Sequence, residues 1–176
     1  MEELKFPLGR VRLQEDYSTT ELAEILHYLE EVPSEYAGLT QNLEVETLKK
    51  TYRPGSWNIQ QIVHHVADMH LLHMLRMKKA LTEPDYKEVT LVNMDGWAAT
   101  ADVLDVPISD SLLILKGIHH RYVALGRSLS DEQYQIQYYH PVRGIYFNQK
   151  QALAITAWHA AHHLAHIKIA LGLPYK

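Results

Sequence analysis

The segment Trp158-His-Ala-Ala-His-His-Leu-Ala-His166 places four imidazoles, on His159, His162, His163 and His166, within eight residues. Neutral imidazole binds divalent transition metals, and two imidazoles spaced i, i+4 on a helix reach one ion. At about 100° per residue, His163 lies about 40° from His159, with His166 about 20° and His162 about 60° to the other side. Lys150 and Lys168 fall about 180° away and mark the expected solvent line. Leu153, Leu164, Ile167 and Leu171 form one flanking apolar stripe, and Ile155, Trp158 and Ile169 form the other. The histidines therefore occupy the wedge that faces the interior of a bundle. A lone buried histidine is ordinarily satisfied by hydrogen bonds, but four facing away from the lysines point to metal. Two HxxxH pairs result, His159/His163 and His162/His166, and the first lies nearer the buried centre.

Two ligands do not make a tight site. His64, His65, His70 and His73 lie on an earlier helical segment whose polar side carries Gln61, Asp68 and Lys79. His65 flanks the apolar side, and His70 and His73 sit inside it, so helical geometry leaves all three open as the next ligand. Asp68, one turn after His65, is a candidate to support a ligand, although its neighbours Gln61 and Lys79 also fit a solvated residue. His140, beside Pro141 and after Tyr138 and Tyr139, is a candidate substrate contact from a loop. His166, if it is not a ligand, is a further candidate for support or substrate contact.

Other metal chemistries lack their motifs. A di-iron carboxylate bundle needs two ExxH motifs and two further glutamates, and only Glu24-Ile-Leu-His27 has that spacing. There is no HExxH for a zincin and no Cys-x-x-Cys-His for covalent haem. With no cysteine at all, disulfides, thiolate zinc sites, iron–sulfur clusters and thiol nucleophiles are excluded.

The elements that must position these residues are helices. Seven prolines bound segments rich in helix formers. Ser18-Thr-Thr-Glu21 reads as a capping box that starts a helix to about Val32, followed by a short helical stretch from Pro33 to Gly38. A long helix follows the turn Pro54-Gly55-Ser56, from about Trp57 to Leu81. Residues 82–107 form a long connection with a short helix near Trp97. A third long helix covers about Ser109 to Leu129, and Ser130-Asp131 stops it or caps the next. Residues 135–148 read as a loop or weak hairpin. The last helix runs from about Asn148 to Leu171 and stops at Gly172, with Pro174 beyond. This predicts an all-α four-helix bundle with a long crossover, as one domain over residues 1–176.

Composition agrees. The 176 residues are 47% hydrophobic and 22% charged, which suits an ordinary globular chain with a full core. A net charge of −4 without clustered cations argues against nucleic-acid binding. No apolar run reaches the roughly 18–20 residues of a membrane span, and the N-terminus lacks a signal-peptide layout. The expected compartment is the cytoplasm. Histidine, at 12 residues, is the outlier.

The sequence resembles the DinB-like metal-dependent proteins, and especially their YfiT branch. Phe6-Pro-Leu-Gly9, Tyr52-Arg-Pro-Gly-Ser-Trp57, Gln61-Ile-Val-His-His-Val-Ala-Asp68, Tyr138-Tyr-His-Pro141 and Trp158-to-Ile167 carry the resemblance. It spans nearly the whole chain. In that family one ligand lies eight residues after the tryptophan that opens the second helix, which matches His65. The other two form HxxxH on the last helix, matching His159 and His163. The resemblance thus selects among the candidates that geometry leaves open. It implies a DinB-type four-helix bundle, usually dimeric, with one zinc or nickel ion per chain. The activities it implies are metal-dependent hydrolysis of a small molecule or bacillithiol-type transfer of a low-molecular-weight thiol. A non-catalytic metal or small-molecule binder is the remaining reading. Three neutral ligands leave a coordination position for water or substrate, and protons are expected to displace the metal as pH falls through about 5–6.

Overall fold

The computed structural model describes residues 2–175. It contains short helix α1 (Glu2–Lys5), long helix α2 (Thr19–Thr40), short α3 (Val45–Leu48), and long α4 (Ile59–Thr82). Short α5 (Met94–Trp97) and α6 (Ala101–Asp105) lie in the crossover to long α7 (Ile108–Arg127). Then come short α8 (Asp131–Tyr134), the strands β1 (Tyr138–His140) and β2 (Ile145–Phe147), and long α9 (Gln149–Ala170). The four long helices form the bundle, in the order α2, α7, α4, α9 around its axis. Among the described residues, no helix is long and apolar enough to cross a membrane.

Local chemistry starts these helices where the sequence says it should. Ser18 and Glu21 form the expected capping box, and Asn58/Gln61 and Asn148/Gln151 cap α4 and α9 the same way. Gly172, at φ 71°, takes the left-handed conformation just past the C-cap of α9. Residues 135–148 do form a small hairpin, with Tyr138 opposite Phe147 and Gly144 turning at φ 65°. The crossover joins it: Tyr139 donates its N–H to the carbonyl of Lys87 and its own carbonyl accepts from Val89.

The expected break at Pro33 does not occur; α2 runs through it. Pro33 removes the N–H that would bond the carbonyl of Leu29. That carbonyl instead accepts the Nδ1–H of buried His119 on α7, at 2.5 Å. Leu26, Leu29, Val32 and Tyr36 continue the buried stripe across the proline, so packing holds the helix together on both sides.

Nor is Lys150 on an open solvent line. It donates to Asp16 and to the carbonyl of Tyr17, and its side chain is only 15% exposed. The N-terminal segment lies along the outer side of α9, with Gln151 donating to Gln14 and His166 to Lys5. This is why α9 is buried on nearly every side, with apolar residues spread around its whole circumference.

Two apolar clusters fill the bundle. One contains Tyr36, Ile62, Leu115 and Leu164, and the other Leu29, Met77, Tyr122 and Leu153. His70 on α4 and His159 on α9 lie along their helices between residues of the two clusters.

Candidate metal centre

α4 supplies His65, and α9 supplies His159 and His163 one turn apart. Their ligand nitrogens all lie within 4.8 Å of one another. The Nε2 atoms of His65 and His159 are 3.2 Å apart. Two imidazoles bound at about 2.0–2.1 Å to one ion must stand at about that separation. Trp57 walls the cluster, its ring 4.6 Å from His65 and stacked at 6.4 Å on His163. Burial pushes His65 down to about 4 and holds His159 and His163 well below the ordinary histidine value. All three are therefore neutral near pH 7, the form that donates to a metal.

Hydrogen bonding also assigns the free nitrogen on two of them. A carbonyl only accepts, so His119 carries its proton on Nδ1 toward Leu29, and its Nε2 is bare. His70 Nδ1 stands 2.6 Å from that nitrogen and must donate to it. His70 Nε2 is then bare, and it accepts from His159 Nδ1 at 3.1 Å. This leaves the lone pair of His159 on Nε2, toward His65. A second, longer chain acts on His163. His166 Nε2 donates to Lys5 at 3.3 Å, and its Nδ1, 3.4 Å from His163 Nδ1, accepts from it. The lone pair of His163 is likewise on Nε2. Burial pushes His119 down to about 4 and His166 to about 3, and holds His70 low, so these chains are neutral.

The other candidates take different places. His64 donates to Val106 and accepts from Ser111, tying α4 to the crossover and to α7. His73 donates through Nδ1 to Thr156. His162 stacks on Trp158 at 4.5 Å, with Phe6 6.0 Å from its ring. Asp68 is half-buried near Asp102, and burial with that charge pushes it up to about 6. It lines none of the three cavities that hold a clustered histidine. His140 does line a cavity shared with His159.

Sequence reasoning missed His119 and Asp95. His119 sits between Leu115 and Tyr122 on the buried stripe of α7, a pattern that was available to read. Asp95 lines the cavity of about 240 Å³ beside His163, brought there by a crossover whose path no local pattern fixes. A larger groove of about 580 Å³ between α2 and α7 contains none of the clustered histidines.

A bundle with histidines from two helices converging at its middle is a metal-site architecture. The chain belongs to the DinB superfamily, whose model matches residues 28–167. It is 37% identical over 170 residues to a protein of Oceanobacillus iheyensis provisionally named metal-dependent hydrolase OB0413, covering 97% of this chain and 96% of that one. It is 35% identical to Bacillus subtilis YfiT, which carries the same provisional name, covering 93% and 92% of the two chains. The solved YfiT structure, a four-helix bundle of unusual topology, superposes with a TM-score of 0.91 at 30% identity, over 98% of this chain and 99% of that one. A mutant of mycothiol-dependent maleylpyruvate isomerase shares the fold at TM-score 0.67 and 13% identity, over 83% of this chain and 60% of that one.

Proposed function

We propose that this protein is a metal-dependent hydrolase of a small molecule that holds one divalent ion, zinc or nickel, on His65, His159 and His163. The observation that carries the reading is three neutral imidazoles converging within 4.8 Å with no carboxylate among them. Such a donor set suits zinc or nickel and leaves positions for water or substrate. When bound, the ion supplies Lewis acidity and acidifies a water or a thiol. The chain's own part is to hold the three nitrogens in place and neutral, with His70 and His166 fixing which nitrogen is free. Among the described residues, Asp95 is the one carboxylate lining a cavity that touches a proposed ligand, and it is the candidate proton acceptor for hydrolysis.

Thiol S-transfer is the second reading. Among the described residues, no Asp or Glu lines the cavity beside His159, and a thiolate needs no base once it has lost its proton to the ion. The same proposal places the protein in the cytoplasm as a homodimer. Leu71 and Leu75 are 46% and 49% exposed on the outer side of α4, whereas Met74 belongs to the core.

The test is turnover of ester, amide and alkylating substrates by metal-loaded protein, with and without a low-molecular-weight thiol. Hydrolysis gives a rate without thiol, and transfer gives one only with it. No rate in either case, with metal confirmed bound, would replace both with a non-catalytic binding module.

A further inference from the structure

We propose that the cavity beside His159 anchors an oxyanion of the substrate, a carboxylate or phosphate, through Arg76, Arg143 and His140. The cavity measures about 630 Å³, the size of a small-molecule site, and Arg76, Arg143, His140, Trp158 and His159 are among its walls. A small recess of about 60 Å³ is walled by those same five residues and by Tyr138. The two guanidiniums and His140 therefore form one corner, open on one side to a proposed metal ligand.

That corner is positively charged and lacks a counter-charge. Among the described residues, no Asp or Glu lines the cavity or the recess. Arg76 and Arg143 join no ion pair among the described residues. Arg10, which also lines the cavity, is already paired with Glu2. Arg76 is only 8% exposed. Its Nη2 donates to the carbonyl of Thr90, but its Nε has no partner, and neither has buried Nδ1 of His140. A guanidinium buried with its Nε unpartnered and no carboxylate beside it is an arrangement that a bound anion would complete. Arginine's planar fork suits a carboxylate or phosphate.

The fold builds the corner deliberately from three elements. His65, Met69 and Arg76 share one face of α4 at i, i+4 and i+11, so the floor runs from the histidine cluster to the guanidinium. The bond from Arg76 to Thr90 ties the crossover to α4. The crossover pairs with β1, whose last residue is His140, and the turn after it carries Arg143. Met69, Val92 and Trp158 add apolar wall. Burial, then the neighbouring Arg76 and Arg143 charges, push His140 down to about 4.

The substrate class rests on the proposed function, in which this cavity and the histidine cluster are one site, but the anion site is measured separately. Zinc-loaded protein is titrated by calorimetry with inorganic phosphate, with glutarate, and with its neutral analogue glutaramide, and metal content is determined in parallel. At least one anion is expected to bind and glutaramide not to. Arg143→Gln and Arg76→Gln should each weaken the anion by about tenfold or more while metal content is unchanged. Tighter phosphate assigns a phosphate substrate, and tighter glutarate a carboxylate. Arg143 stands at the exposed rim, so its variant decides the matter even if Arg76→Gln does not fold. An absence of anion binding, or affinity indifferent to Arg143→Gln because the anion sits on the ion or elsewhere, overturns the proposal. Protein that binds the anion but no metal would instead overturn the metal-dependent reading and leave this one standing.

Discussion

His119 on α7 determines which nitrogen of His159 on α9 is free, with the single imidazole of His70 standing between them. The direction comes from one backbone carbonyl, that of Leu29, which Pro33 deprives of its helical partner. Three neutral rings then have only one consistent set of tautomers. A proline in the middle of a helix on one side of the bundle is thereby linked to the lone pair of a candidate ligand on another.

Breaking that chain should weaken metal binding without removing a ligand. His70→Phe and His119→Phe are expected to lower zinc affinity about 10–100-fold, the usual loss when a group supporting a ligand is removed. Competition against a chelator measures it. Affinity equal to that of the wild type in a folded variant would show that the chain is only structural.

Removal of a ligand should do more. Alanine at His65, His159 or His163 is expected to abolish stoichiometric metal. His27→Ala, on the exposed side of α2, should have no effect. His162→Ala should retain metal, and His166→Ala should lose affinity partially through His163. If alanine at His162 and His166 abolishes binding while His159→Ala does not, the other HxxxH pair holds the ion.

Acid should act on the fold and the metal together. Ten of the twelve histidines are held below the ordinary value, with burial the leading cause in each. The unfolded chain therefore takes up protons first, as pH falls below about 6.5. Stability is fully present above that pH and declines until the folded-state values, about 4 for His65 and about 3 for His73, are reached. Metal should accordingly persist below the range of about 5–6 set by free histidine and leave with the fold. Circular dichroism and metal content followed against pH test this, and metal release at pH 6.5 from an intact fold would contradict it.

Asp95→Asn separates the two chemistries. Loss of hydrolysis with metal content unchanged is expected if Asp95 accepts the proton. An unchanged hydrolysis rate would exclude it from that role.

The dimer predicts a sedimenting species of twice the 20.3 kDa chain mass. Leu71→Glu with Leu75→Glu should convert it to monomer. A 20.3 kDa species for the wild type at micromolar concentration would refute the assembly.

Much of this was legible in the sequence because it is local. Capping residues start helices through bonds three residues long, and the 3.6-residue period fixes which side chains share a face. Ser18, Asn148 and Gly172 mark helix ends, and the wedge holding His159 and His163 follows from spacing alone. Family resemblance, not spacing, singled out His65 from His70 and His73. What the tertiary structure decided depends on contacts between residues far apart in the chain. Helical period cannot say which face meets which neighbour, so it could not turn His70 toward His119 or His73 toward Thr156. Nor could it show that Pro33 would be tolerated, because the group that satisfies Leu29 comes from 90 residues away. Arg76, His140 and Arg143 look unrelated along the chain, and only the crossover pairing with β1 brings them to one corner.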